Sequence, residues 1–161
     1  MGDALDLRRT LGHFATGVSV VTTSLGGQPH GLTVNSFASL SLEPPQVLVC
    51  LKRENRSYPA FEHATHFAVN VLGEGQLELA RLFAGTGEGK FTSVEHAAGP
   101  ASGAPLLAQV HAWLECEVVQ RIAAPGTHSI VIGRLLGHGH GDAPPLLFHR
   151  GRYHRLGEAY R

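Results

Sequence analysis

Charge is scarce in this chain. Asp, Glu, Lys and Arg make up only 16 % of 161 residues, against about a quarter in ordinary soluble proteins. The two signs cancel at 13 each. With no basic excess there is no field to hold a nucleic-acid backbone or an anionic lipid surface, so neither partner is expected. No apolar run approaches the length of a transmembrane helix, and no basic-then-apolar leader opens the chain, so neither a membrane span nor a signal peptide is read. Cysteine is nearly absent too. Cys50 and Cys116 lie far apart in apolar runs, which suits free thiols in a reducing cytoplasm better than a disulfide framework. Asn55-Arg56-Ser57 matches a glycosylation acceptor, but without a secretion signal the match carries no weight.

The common chemical signatures are missing as well. No Gly-x-Gly-x-x-Gly follows a strand and no Walker-type loop is present, so a doubly wound nucleotide fold has no support. There is no Cys-x-x-Cys, no His-Glu-x-x-His and no Gly-x-Ser-x-Gly elbow. The length is most simply one domain over residues 1–161 with one core. Apolar residues at 43 % beside so little charge leave room for a buried subunit interface.

What the chain does have is a polar stripe without charge. In Gly31 to Pro45, Thr33, Asn35, Ser39 and Ser41 fall on odd positions and would share one face of an extended segment. Leu32, Val34, Leu40 and Leu42 alternate with them and would face a core. Ser36 and Phe37 interrupt the pattern, which predicts a kink or bulge. Such a stripe suits a neutral, polar, ring-shaped ligand, and it equally suits the solvent face of a half-buried strand.

Strand signals dominate the rest. A helix is expected over Asp6–Phe14, with Asp6 as N-cap and Gly17 as its stop. Val18–Ser24 reads as a strand that turns at Gly26-Gly27 into the stretch beginning near Gly31. Val47–Leu51 and His66–Leu72 read as further strands, with short helices at Arg56–His63 and Gln76–Phe83. Residues 84–105 read as one long loop, the kind that is functional or packs on a partner. Val110–Arg121, Thr127–Leu136 and a strand pair about Gly151 complete an antiparallel, mainly β architecture with a few short helices. Such strands close into a barrel or sandwich to remove their edges.

Three groups bear on chemistry. Gly137-His138-Gly139-His140-Gly141-Asp142 has alternate histidines and an acid, but the interleaved glycines point to a flexible hairpin loop and not a coordination shell. His128 opens a strand after Pro125-Gly126-Thr127, where it can face a ligand at a barrel rim or simply solvent. Lys52, Arg53, Arg56 and Ser57 form a basic cluster able to hold one phosphate, or a solvated helix start.

In order along the chain, several segments resemble the short-chain flavin reductase family. They are Phe14-Ala15-Thr16-Gly17-Val18, Val20-Val21-Thr22-Thr23, Gly31 to Phe37, Ser39 to Pro45, Cys50-Leu51 with Arg56-Ser57, and Phe67 to Leu72. Lys90-Phe91, His128 to Gly133 and Arg150-Gly151-Arg152-Tyr153 continue the series. The resemblance implies a flavin-binding split β-barrel of Greek-key, antiparallel type, normally a homodimer with flavin near the interface. It also implies hydride transfer from NADH or NADPH to FMN, FAD or riboflavin, supplying a partner monooxygenase. On the matched motifs, Thr33, Val34, Asn35 and Ser36 would line the isoalloxazine ring. Ser39, Ser41, Cys50, Leu51, Lys52, Arg56 and Ser57 would hold the rest of the flavin, and Lys90-Phe91 would close over it. His128 and Tyr153 would lie near the nicotinamide. Thr127 stands where family members often carry an acid. Catalysis would come from positioning the two rings, with no acid/base dyad or metal. A flavin- or haem-binding barrel without turnover, and a structural domain with a merely solvated polar face, are the competing readings.

Overall fold

A computed structural model describes residues 3–159. The first helix, α1 (Ala4–Leu11), is capped by Asp3, whose carboxylate accepts from Leu5 N at 3.5 Å, and it ends at Gly12. It therefore starts and stops earlier than its sequence pattern predicts. Gly17 does not stop the helix; it lies in β1 (Thr16–Gly17). None of the residues of α1 is buried, and Leu11 and Phe14 are 66 % and 79 % exposed.

β2 (Ser19–Leu25) and β3 (Gln28–Val34) form the expected hairpin. Gly26 and Gly27 turn it with φ of +58° and +77°, values that cost glycine no Cβ clash. The chain then breaks completely at Ser36-Phe37. β4 (Ala38–Leu42) lies at the opposite edge of a seven-stranded antiparallel sheet from β3. Between them run β2, β6 (His66–Val71), β9 (Ala112–Ala123), β10 (His128–His140) and β5 (Pro45–Lys52). Ser36 draws the two edges together: its Oγ donates to Cys50 O at 2.8 Å and accepts from Cys50 N at 3.1 Å. The sheet so curls into a barrel.

The single polar face expected from Thr33 to Ser41 does not exist. Leu32 and Val34 enter the core as expected, but Leu40 and Leu42 are 47 % and 83 % exposed. The reason is that β4 is an edge strand with its register shifted between Ser39 and Ser41, so the alternation of β3 cannot be continued through it.

Inside the barrel, Val21, Val49, Leu51, Phe61, Phe67 and Val69 are buried together. Gly133 makes room for them, since a Cβ there would lie 2.5 Å from the Phe67 ring. The long β9–β10 hairpin also corrects the reading of residues 137–140: His138 and His140 belong to β10 and are not in a loop. The interleaved glycines clear space for neighbouring side chains, Gly139 lying so close to Trp113 that a Cβ would fall 2.7 Å from the indole nitrogen. Among the described residues no cluster of three or more His, Cys, Asp or Glu side chains could hold a metal ion.

The helices pack outside. α2 (Tyr58–His63) buries Ala60 and Phe61. After a single 3-10 turn at Glu74–Gln76, α3 (Leu77–Ala84) buries Ala80 and Phe83 in a second core with Val18, Val20, Leu72 and Leu146. Residues 84–105 are loop-like at first, but β7 (His96–Ala98) pairs with β8 (Pro105–Leu107). Two buried polar side chains fasten this region to the sheet. Asn70 Oδ1 accepts from Leu107 N at 2.8 Å. The Glu115 carboxylate accepts from Ser102 N at 2.8 Å and Ala101 N at 3.0 Å. Beside Glu115, burial pushes the Cys116 thiol up to about 12. β11 (Leu146–His149) and β12 (Arg152–Arg155) pair with each other, and β11 pairs with β1.

Candidate functional site

Two kinds of cavity open along β3. At Gly31 a recess of about 400 Å³ is lined by His30, Arg56, Ser57 and the loop Gly87-Glu88-Gly89-Lys90-Phe91. Gly31 is small for a reason: a Cβ there would lie 2.9 Å from the Phe83 ring and 3.2 Å from Phe91. Its absence lets Phe91 sit edge-on against Phe83, centroids 5.0 Å apart, with the loop drawn close to the strand. Arg56 Nη1 donates to Thr86 O at 3.2 Å and pairs with Glu88 at 3.4 Å. Lys90 Nζ donates to Phe83 O at 3.1 Å, and burial holds its ammonium below the usual lysine range. Ser57 Oγ donates to Gly31 O at 3.0 Å. This end carries two cations and one anion.

The other end is uncharged. One recess, about 170 Å³, lies among Val18, Thr33, Val34, Asn35, Phe148 and Tyr153. Asn35 also borders its neighbour of about 300 Å³, with Phe14, Thr16, Gly17 and Phe37. No ionisable group other than the Tyr153 phenol lines either one. Thr33 Oγ1 is already committed to Ala80 O at 2.8 Å. Asn35 is exposed, and Thr16 Oγ1 is buried without a protein hydrogen-bond partner, so both have hydrogen-bonding capacity that a polar ligand could use. Tyr153 leans edge-on against Phe148, centroids 5.2 Å apart.

The fold thus groups Arg56, Ser57, Lys90 and Phe91 in one recess and Thr33, Val34, Asn35 and Tyr153 in another. Ser36 stitches the barrel with its hydroxyl. Leu51 is 0 % exposed and belongs to the core, so only its backbone can meet a ligand, while Cys50 is half-buried. Ser39 and Ser41 lie on the edge strand β4, and neither lines these recesses. Lys52 pairs with Glu54 at 2.8 Å and lies opposite His128 in the β5–β10 register. That lysine, by hydrogen bond and charge, holds the Glu54 carboxyl below the usual range. Tyr153 lines the recess beside Thr33 and Asn35, and His128 does not.

Sequence reading missed His30 and Glu88 as cavity walls, although Gly87 and Gly89 on either side of Glu88 were a signal of a turn, and Gly89 has a φ of +67°. It also missed what Arg53 does. The guanidinium donates to Gly126 O and to Ala124 O, and Arg53 N donates to Thr127 O at 2.9 Å. Arg53 thereby holds the loop that leads into His128.

Residues 11–157 match the family model described as the flavin reductase like domain. The chain is 39 % identical over 151 residues to the reductase component of 4-nitrophenol 4-monooxygenase/4-nitrocatechol 2-monooxygenase of Rhodococcus opacus, covering 94 % of this chain and 80 % of that one. It is 40 % identical over 159 residues to an NADH-dependent FAD reductase of Streptomyces globisporus, covering 96 % and 86 %. The solved Streptomyces globisporus NADH:FAD oxidoreductase SgcE6 superposes with a TM-score of 0.91 at 38 % identity, covering 99 % of this chain and 91 % of that chain. The same protein, in complex with NAD and FAD fragments, also superposes at 0.91, covering 96 % and 93 %. An NADH-dependent FMN reductase, SmoA of Agrobacterium fabrum, is 40 % identical over 151 residues, covering 92 % and 84 %. Against other curated relatives the chain spans only about half their length, 48 % and 47 % in two cases.

Proposed function

Because the chain belongs to the flavin reductase-like family, we propose that it is an NAD(P)H:flavin oxidoreductase that supplies reduced flavin to a partner monooxygenase. One observation supports this above the others: an uncharged recess and a cationic one lie at the two ends of Gly31–Asn35, on the order of 13 Å apart along the strand. A flavin has that polarity, a neutral ring system at one end and, in FMN and FAD, phosphate at the other. The donor set fits it.

In this reading Asn35, Thr33 and Ser36 border the ring, with Val34 behind it, and Arg56, Ser57 and Lys90 face the phosphate under Phe91. Ser39, Ser41, Cys50, Leu51 and Lys52 join the flavin site, and His128 and Tyr153 the nicotinamide site, on the strength of the resemblance. Bound flavin supplies the redox chemistry by accepting hydride from NADH or NADPH. The chain's own part is to hold the two rings at contact distance, which can lower the barrier by several kcal/mol. Uncharged donors such as the Asn35 amide favour negative charge as it develops on the ring they face. No proton-transfer dyad is required.

The proposal includes a homodimer, for which exposed Leu5, Leu7, Leu11 and Phe14 beside α1, and Leu40 and Leu42 on β4, are the supporting surface. Sedimentation of the purified chain tests this. It also places the protein in the cytoplasm, consistent with free Cys50 and Cys116, and reads residues 1–161 as one domain. Nucleic acid and membrane lipid have no part in it.

The test is anaerobic mixing with FMN, FAD or riboflavin, then NADH or NADPH, while flavin absorbance is followed. Rapid bleaching is expected and names the preferred pair. Flavin binding without bleaching would overturn the reductase in favour of a binding module.

A further inference from the structure

Glu88 is an anion in a recess whose other charged walls are cations. It sits at the tip of the loop that closes over Gly31, between Gly87 and Gly89. Gly89 adopts a φ of +67°, and its carbonyl accepts from Thr92 N at 3.0 Å and Thr92 Oγ1 at 2.7 Å. That turn aims the Glu88 carboxylate at Arg56, which it meets at 3.4 Å. Lys90 has turned its ammonium onto Phe83 O. Arg56 is therefore the cation most open to an arriving anion, and Glu88 is already on it.

We infer that Glu88 sets flavin specificity by competing with the flavin phosphate for the Arg56 guanidinium. An incoming phosphate must displace the carboxylate and then sits beside it, like charge against like charge. Riboflavin carries no phosphate and meets no such opposition. Glu88 therefore narrows the preference of the site for FMN and FAD over riboflavin, and it loosens phosphorylated flavins so that they leave more readily after reduction. This inference rests on the proposed orientation of the flavin, with its phosphate at Arg56.

The experiment is equilibrium titration of the purified full chain with FMN, FAD and riboflavin, read by flavin fluorescence. Wild type, Glu88→Gln, Glu88→Lys and Arg56→Gln are compared. Glu88→Gln should tighten FMN and FAD about two- to fivefold, the range for an exposed ion pair, with riboflavin unchanged. Glu88→Lys should tighten them further, and both gains should shrink at high salt. Equal effects on all three flavins, or none, would overturn the role of Glu88. Arg56→Gln separates this from a wrong orientation: it should weaken FMN and spare riboflavin. If it treats both alike, the phosphate lies elsewhere and both readings fall. The side chain of Glu88 is exposed, so these variants should fold, and coincident thermal unfolding curves check that they do.

Discussion

The recesses at the two ends of the Gly31–Asn35 stretch are built in opposite ways. At Gly31 the wall is a glycine-rich loop, and the contacts are ionic and partly open to water: Arg56 with Glu88, Lys90 with a carbonyl. At Asn35 the wall is made by β1, β3, β12 and the turn to β4, and no Lys, Arg, Asp or Glu faces the recess. The first end can discriminate by charge, is screened by salt, and tolerates adjustment. The second can discriminate only by shape and hydrogen-bond direction, so it depends on the rigidity of the barrel beneath it.

The largest effect should come from the uncharged end. Asn35→Ala is expected to lower kcat/KM for FMN and riboflavin alike by about 10- to 100-fold, the loss of one or two hydrogen bonds to developing charge. A loss confined to FMN would break the contrast. Next, Ser36→Ala leaves Cys50 N and O without their partner. It should destabilise the chain by about 1–3 kcal/mol, a few degrees in Tm per kcal/mol at this size. If the uncharged end relies on that stitch, flavin affinity falls with Tm; a normal Tm with poor binding would separate the two. A smaller effect is expected from His128→Ala. It should raise the apparent KM for the nicotinamide nucleotide severalfold, about 1 kcal/mol, and leave flavin constants unchanged. A flavin effect instead would move His128 to the other ligand.

The subtlest test is pH. Burial disfavours the Lys90 ammonium, so its pKa lies below the ordinary 10.5 when folded. As pH rises through that lowered value, FMN affinity should fall while riboflavin affinity stays flat. Without flavin, the folded chain releases this proton before the unfolded chain does, so the Lys90 contribution to stability rises with pH between the two values. Lys90→Met should flatten both slopes, and denaturation midpoints across that window, compared between wild type and variant, measure the second.

Much of the architecture was legible beforehand because strand signals are local. The β-branched run in β2 and the Gly26-Gly27 turn needed no long-range information. Errors fell where a local pattern has more than one tertiary use. The glycines around His138 and His140 suggested a turn, yet they lie in a strand where Gly139 gives way to Trp113 and Gly137 lies against Glu115 and Trp113 from the neighbouring strand. Asp6 resembled a helix cap, but Asp3 does that work. Of the candidate site, Arg56 and Ser57 from the phosphate cluster and Lys90 and Phe91 from the closing loop are brought together in one recess, which Lys52 and Arg53 of the same cluster do not line. Ser39 and Ser41 share a face with Asn35 when counted along one extended segment, but the segment is two strands, β3 and β4, so that count does not carry across the break.

The sequence by itself determined that the chain is mainly β, that its strands are antiparallel, that no nucleotide-loop or protease signature is present, and which family it resembles. Those properties follow from composition, from a period of two, and from short ordered motifs. Only the tertiary structure decided that β4 leaves β3 for the far edge of the sheet, that Leu40 and Leu42 face outward, that Arg53 grips the loop before His128, and that Glu88 meets Arg56. A period of two says that alternate side chains face opposite ways. It carries no information about which distant segment lies opposite each face, because that is settled by pairings between residues far apart in the chain.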